Sequence, residues 1–361
     1  MAEARSPEPR SAHESALIDD ELHIIGGRNE KFYFFPRNEI WTCNFREEKK
    51  WIRRFAQGKN TPPPCWGARC VVINGIMYSY GGQKENKSSL GEVFGLNPKK
   101  MKWIQVAPSA DGKKPWQRFF CCLWAIGERI IMFGGVSGPI PRAQLQSGAQ
   151  FNGAVTNEIY EFVFEEGREK GYWSDVELSG KRPQPRRGAA TETIDEHRGL
   201  LHGGYGGVKL FDDAFVIDLR EKKWICIDFL PKPSARANHR ICRLSKFKER
   251  NCFFLIGGYN CDSEFSDHAY ILDFDTRESY ANGDGSVQII VAGGEDQNGK
   301  FKNILTKFTL GLSSKPHIKT ILFPSAKWQS PVPQKESSNT RELERELEEI
   351  RMEVSKLRDE K

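Results

Sequence analysis

Apolar residues in this chain fall in short runs with polar positions interleaved. The runs are too brief for amphipathic helices and are bounded by glycine, proline, asparagine and aspartate. Six of them run into a Gly-Gly doublet: Ile24-Ile25-Gly26-Gly27, Tyr80-Gly81-Gly82, Met132-Phe133-Gly134-Gly135, Leu201-His202-Gly203-Gly204, Leu255-Ile256-Gly257-Gly258 and Val291-Ala292-Gly293-Gly294. The first glycines stand 55, 53, 69, 54 and 36 positions apart. Three further marks keep phase with them. About 16 residues before most doublets an arginine opens a strand (Arg10, Arg118, Arg186, Arg236), with Cys65 in its place once. After most doublets comes an acidic or amide step into another strand, as at Asn38-Glu39-Ile40-Trp41, Gly91-Glu92-Val93-Phe94, Asp212-Asp213-Ala214-Phe215 and Ser266-Asp267-His268-Ala269-Tyr270. A tryptophan then marks a fourth strand at Trp51, Trp103, Trp173 and Trp224.

Each unit therefore reads as four short antiparallel strands, one blade of a β-propeller. Such a sheet cannot bury both faces alone, so blades must pack around a ring. The glycine doublets supply turns with positive φ and close approach to the next blade. The tryptophans are expected to fill the wider outer space between sheets.

Composition agrees with turn-rich β-structure: 38% hydrophobic, 11% aromatic and 33 glycines in 361 residues. Nothing approaches the roughly 18 apolar residues of a membrane helix. Met1–Ala16 is polar with charges of both signs, unlike a secretory signal. A net charge of +6 is mild and lacks the basic stripe of a nucleic-acid binder. Nine cysteines, without a Cys-x-x-Cys pair, read as reduced thiols in a cytoplasmic or nuclear protein, not as a zinc site. No cofactor, nucleophile–base motif or metal-ligand spacing is present, so an enzyme is not expected.

With these signals the chain resembles kelch-repeat propellers over residues 9 to 323. Among them it is most similar to the substrate receptors that recognise C-terminal glycine degrons for a cullin–RING ubiquitin ligase. The likeness lies in Phe34-Phe35-Pro36-Arg37-Asn38-Glu39-Ile40-Trp41, in Pro185-Arg186-Arg187-Gly188-Ala189-Ala190, and in a long blade-three insertion from Val136 to Thr156. That resemblance implies a six-bladed kelch propeller that binds proteins, with elongin and cullin as partners of a ligase. Two departures bear on it. The segment that supplies carboxylate-clamping arginines in those receptors reads Tyr205-Gly206-Gly207-Val208-Lys209-Leu210, and their Ser-Trp after the blade-five arginine is Ala237-Asn238. Docking helices of the ligase type do not follow the repeats.

The 36-residue interval between Gly257 and Gly293 predicts a truncated junction. The outer strand of blade five and the inner strand of blade six are expected to be missing, because residues 275–286 are too few for both. After a linker at 324–338, residues 339–361 place Leu343, Leu347, Ile350, Val354 and Leu357 at 4-3-4-3 spacing, the seam of a coiled coil. Residues 1–8 are expected to be disordered. A helix this short calls for a partner, through self-association or a heterotypic coil.

Ligands of propellers usually meet the mouth of the channel. Arg10, Arg118, Arg186, Arg187 and Arg236, with Tyr205 and Lys209, are candidates for a basic funnel that takes an acidic or carboxylate-bearing peptide. The alternative for the arginines is to tie blades together through carbonyl hydrogen bonds. Trp66 and Trp116 are either exposed anchors or inter-blade filling. Phe32-Tyr33-Phe34-Phe35 is either an interaction patch or a cover for its blade. His13 and His239, three residues past their arginines, fit a structural inter-blade bond better than catalysis. The expected function is a non-enzymatic adaptor that binds a protein or peptide and assembles through its helix, with the ubiquitin-ligase substrate receptor as the alternative.

Overall fold

The architecture follows from where each strand finds its partner. A computed structural model describes residues 6–44, 50–58, 60–110, 112–138, 153–244, 251–260, 269–277, 279–280, 287–295 and 301–310. Five successive four-stranded antiparallel sheets appear, each a meander in chain order. Blade one comprises Glu14–Ile18, Glu21–Ile25, Glu39–Asn44 and Trp51–Phe55. Blade two comprises Arg69–Ile73, Ile76–Tyr80, Val93–Asn97 and Lys102–Pro108. Blade three has Cys122–Ile126, Arg129–Phe133, Ile159–Phe164 and Lys170–Asp175. Blade four has Ala190–Thr193, Arg198–His202, Ala214–Asp218 and Lys223–Ile227. Blade five has Arg240–Leu244, Cys252–Ile256, Tyr270–Asp273 and Ser279–Tyr280. The outer strands of blades two and three also touch in parallel, Lys170 beside Ala107. Among the described residues there is no helix, and the segment 339–361 with its leucine seam lies outside them.

The first strand of each blade packs beside the first strand of the next, so these five strands are the inner ones around a channel. One apolar cluster fills each gap between neighbours. Ile25, Ile40, Met77, Leu96 and Trp103 join blades one and two; Tyr80, Leu123, Met132, Phe162 and Trp173 join two and three. Trp124, Phe133, Leu201, Phe215 and Trp224 join three and four; Leu200, Val216, Phe229, Phe253 and Leu272 join four and five. Trp103, Trp173 and Trp224 are buried on fourth strands, where the sheets splay and only a large ring fills the space. Eight cysteines lie among the described residues and all are free thiols.

The junction after blade five differs from the expectation of two missing strands. Blade five does have a fourth strand: Ser279 and Tyr280 pair with Leu272 and Ile271. Two residues suffice because the chain turns back directly after Asp273. Beyond it stand only Val287–Glu295 and Phe301–Leu310, an antiparallel pair with a register shift at Ala292/Gly294. The sixth doublet therefore lies inside a strand rather than at its end. Among the described residues no other strand pairs with these two.

Candidate functional site

In a four-stranded meander, the loop entering the first strand and the loop joining the second to the third emerge at the same end. Backbone bridges tie these two loops together in blade after blade: Ser11 with Arg28, Trp66 with Gln83, Arg187 with Tyr205 and Ala237 with Tyr259. In blade three the same positions form a small sheet from Arg118–Phe119, Val136–Ser137 and Ala154–Val155. This end of the channel is the candidate site, and it is called the mouth below.

The phased arginines hold the mouth from within. Arg10, Arg118, Arg186 and Arg236 are buried, and each guanidinium donates to the carbonyl of the first glycine of its own blade's doublet: Gly26, Gly134, Gly203 and Gly257, at 2.9 to 3.2 Å. Nε donates to the carbonyl two residues upstream, of Glu8, Trp116, Gln184 and Ser234. The acidic step supplies the counter-charge. Arg118 meets Glu158 at 3.0 Å, and Arg186 meets both carboxylate oxygens of Asp213 at 2.5 and 3.0 Å. Their backbone carbonyls meanwhile accept from the second glycine of the preceding doublet, as in Gly82 to Arg118, Gly135 to Arg186 and Gly204 to Arg236. Arg118 and Arg186 thus lock three strands of one blade and the seam to its neighbour. With every donor turned inward, the four do not line a funnel. Cys65 keeps the corresponding place in blade two, with Sγ 3.9 Å from the Gly81 carbonyl.

Two residues past each of these positions the backbone turns left-handed: Ala12, Gly67, Phe120, Gly188 and Asn238 have φ between 50° and 71°. These five residues form a belt. Gly67 N–H donates to Ala12 O, Phe120 to Gly67, Gly188 to Phe120 and Asn238 to Gly188, at 2.7 to 3.1 Å. Among the described residues no bond joins Asn238 back to Ala12, which is the side where a sixth inner strand would stand. Gly188 and Asn238 fall in segments that the family resemblance touches, whereas Ala12, Gly67 and Phe120 carry no mark in the sequence. A small or amide residue two places past the arginine was the available signal, and Phe120 obscures it.

Outside the belt, side chains spread around the mouth. Trp116 is 64% exposed, as is Phe32, with Tyr33 and Val208 also exposed. Phe35 is buried with the Arg10 guanidinium stacked 3.8 Å from its ring, so the Phe32–Phe35 segment divides: its first half faces solvent and its last residue covers the blade. Trp66 is half-buried, edge-on to Phe120 at 5.2 Å and capped by Arg28 at 4.5 Å. Arg187 lies 5.0 Å from the Tyr205 ring, and exposed Lys209 lies 5.5 Å from Phe211. Among the predicted residues the mouth therefore gathers Arg187 with Tyr205 and Lys209 on blade four. Trp66 lies on blade two, and Trp116 in the loop that enters blade three. His239 and His202 share a buried bond of 3.0 Å between blades five and four.

The histidines are held uncharged. Burial pushes His13 and His202 down to about 3, helped by neighbouring arginines, and His239 well below its ordinary value. Their folded values lie below the unfolded 6.5, so their contribution is complete above 6.5 and is lost as pH falls toward 3. Glu192 on the inner strand of blade four behaves oppositely, its carboxyl raised by burial to about 7 from 4.5. It costs nothing below 4.5, and its penalty grows as pH rises to about 7 and persists above that. Glu192→Gln is expected to raise the melting temperature at pH 8 but not at pH 4.5. An equal effect at both values would exclude burial of charge as the cause. Among the described residues no three His, Cys, Asp or Glu side chains group as metal ligands.

Comparison with known proteins places this geometry. Residues 1–135 match the model of the KLHDC2/KLHL20/DRC7 Kelch-repeats domain, which is a repeat domain rather than an enzyme family. The chain is similar to Kelch domain-containing protein 2 of Bos taurus, 23% identical over 282 residues, covering 73% of this chain and 66% of that protein. It is similar to Kelch domain-containing protein 3 of Rattus norvegicus, 27% identical over 141 residues, 38% of this chain and 36% of that one. It also matches Acyl-CoA-binding domain-containing protein 4 of Arabidopsis thaliana, 24% identical over 225 residues, 60% of this chain and 30% of that one. In each case the matched region spans less than two thirds of the relative's length. Residues 1–135 thus carry a kelch-repeat match, and the described residues form a propeller-like all-β fold in keeping with it.

Proposed function

We propose that this protein is a non-enzymatic adaptor whose mouth binds a protein or peptide, acidic or carboxylate-bearing, while residues 339–361 mediate oligomerisation or scaffolding through a coiled coil. The observation that carries this reading is that exposed aromatic side chains stand in the loops at the mouth. Phe32, Tyr33, Trp116 and Val208 belong to the loops around the mouth, whereas exposed Leu17, Ile52, Phe55 and Tyr172 are scattered over strands of blades one and three. The same end of the blades carries the cations Arg187 and Lys209 in blade four. Aromatic anchors ringed by polar groups are the usual composition of a binding hot spot, and a clustered apolar patch is seldom left bare. In this reading the strands at 287–295 and 301–310 belong to a sixth blade, and the protein works in the cytoplasm or nucleus.

The alternative is a substrate receptor of a cullin–RING ubiquitin ligase that recognises a C-terminal degron. The resemblance in Phe34–Trp41 and Pro185–Ala190 supports it. The glycines, Val208 and Lys209 where such receptors carry arginine weigh against it, since bidentate capture of a carboxylate favours guanidinium.

Affinity purification of the intact chain beside one stopped at residue 335, read by mass spectrometry, separates the readings. Elongin or cullin recovered with both chains supports the receptor. Partners or self-association lost with the helix support the adaptor. In either case Trp116→Ala combined with Arg187→Ala is expected to weaken capture by at least about tenfold. Capture unchanged by these substitutions would remove the mouth as the binding surface.

A further inference from the structure

Inside the belt, two arginines stand on inner strands of blades two and five, and among the described residues no acid is paired with either. Arg69 opens the inner strand of blade two and Arg240 that of blade five, each two residues past its belt residue, Gly67 and Asn238. The hydrogen-bonded belt therefore sets both at one level around the channel. Arg69 lies 5.9 Å from the Phe120 ring, and its Nη2 is sealed from solvent with no hydrogen-bond partner. Arg240 keeps contact with solvent. Among the described residues neither forms an ion pair. Glu14 reaches Arg69 only weakly, because its own ion pair is with Arg37.

The two charges act on one another and on shared neighbours. Repulsion by Arg69, then burial, pulls Arg240 down to about 9, and no carboxylate offsets it. His13, Cys70 and His239, from three different blades, all feel both arginines. His13 Nδ1 is a second buried polar atom with no partner. Among the described residues the set amounts to two positive charges and a neutral imidazole with no paired counter-ion.

We propose that Arg69 and Arg240 clamp a doubly charged oxyanion in the channel beneath the mouth, a phosphate dianion or the phosphate of a phosphomonoester, with His13 Nδ1 as a neutral donor. A dianion offsets both guanidinium charges, whereas a single carboxylate leaves one uncompensated. Guanidinium groups present several N–H donors in a fixed plane, which suits the oxygens of phosphate. The site lies on inner strands of blades two and five, apart from Trp116, Arg187 and Lys209 at the mouth, and it stands whether or not a protein binds there.

The test uses the full 361-residue chain at pH 8, in chloride, acetate, sulfate or inorganic phosphate of equal ionic strength. Phosphate and sulfate are expected to raise the melting temperature by about 2 to 4 °C and acetate by clearly less. In calorimetric titration Arg240→Gln and Arg69→Gln should each weaken phosphate binding by at least about tenfold. Arg129→Gln, an exposed arginine on blade three, should leave it unchanged. Both glutamine variants should be at least as stable as the parent in chloride, because each removes a repulsion. If Arg69→Gln fails to fold, Arg240→Gln decides, its side chain being in solvent. A matching response to phenyl phosphate assigns the site to phosphomonoesters, and a response to inorganic phosphate alone assigns it to the free ion. Absence of phosphate binding in the parent, or binding retained in Arg240→Gln, overturns the proposal.

Discussion

Replacing Arg37 by methionine should destabilise the protein by about 3 to 5 kcal/mol, the usual cost of stranding a buried charge. Arg37 lies in the loop before the third strand of blade one and is fully buried. Its Nη2 donates to Glu14 on the inner strand of blade one and to Ser79 Oγ on the second strand of blade two. Its carbonyl accepts from Trp103 Nε1 at 3.0 Å on the fourth strand of blade two. One residue therefore spans the seam where Cys65 replaces the phased arginine. Methionine fills the volume but leaves the Glu14 carboxylate without a cation in a site closed to water. Removing Glu14 as well, in Glu14→Met with Arg37→Met, should recover most of the loss, since apolar replacement of both partners is often near neutral. Chemical unfolding of the three variants checks this. If the double variant is as unstable as the sum of the singles, the pair is not the origin of the effect.

Gly203→Ala should cost about 2 to 5 kcal/mol from two separate sources. Gly203 has φ of 66°, where an L side chain costs about 1 to 2 kcal/mol. Its new Cβ would lie 2.6 Å from the Arg236 carbonyl oxygen, a backbone atom of the next blade. That oxygen accepts from Gly204 N–H at 2.8 Å, so it cannot retreat without opening the seam between blades four and five. Gly75→Ala is the comparison: its φ is 74°, yet nothing lies within 4 Å of the added carbon. Gly75→Ala should show the conformational cost alone. Equal losses for the two variants would mean that inter-blade contact at the doublet contributes nothing.

The seam at Arg37 was only half legible. Its motif Phe35-Pro36-Arg37-Asn38-Glu39 carried the family resemblance, and Cys65 was visible as a break in the arginine series. That Arg37 stands at the broken place depends on a contact between residues 42 positions apart, Arg37 and Ser79, which no local spacing encodes. Arg186 and Arg236 shared both phase and residue type, but phase cannot say which way a long flexible side chain turns. Burial between three strands, with carbonyl acceptors on one side and Asp213 on the other, turned Arg186 inward. Arg69 keeps phase with Arg240, four places past Cys65 and Arg236, but forms no series in the sequence because the other blades hold Glu14, Cys122 and Ala190 there. Its isolation from acids appears only when blades two and five face one channel.

The sequence by itself determined the blade. Glycine doublets, acidic steps and tryptophans recur because every blade must solve the same local problem of turn geometry, strand register and outer packing. It determined the number of regular repeats and where their regularity fails. The tertiary structure decided how blade five ends, with Ser279 and Tyr280 closing its sheet. It decided that Arg10 and Arg118 turn into their blades and bond to glycine carbonyls. It also set Arg69 and Arg240 at one level of the channel, through the belt of bonds from Gly67 to Asn238. Those outcomes depend on the summed rotation of successive sheets and on desolvation within the finished ring, quantities that exist only once all the blades have packed.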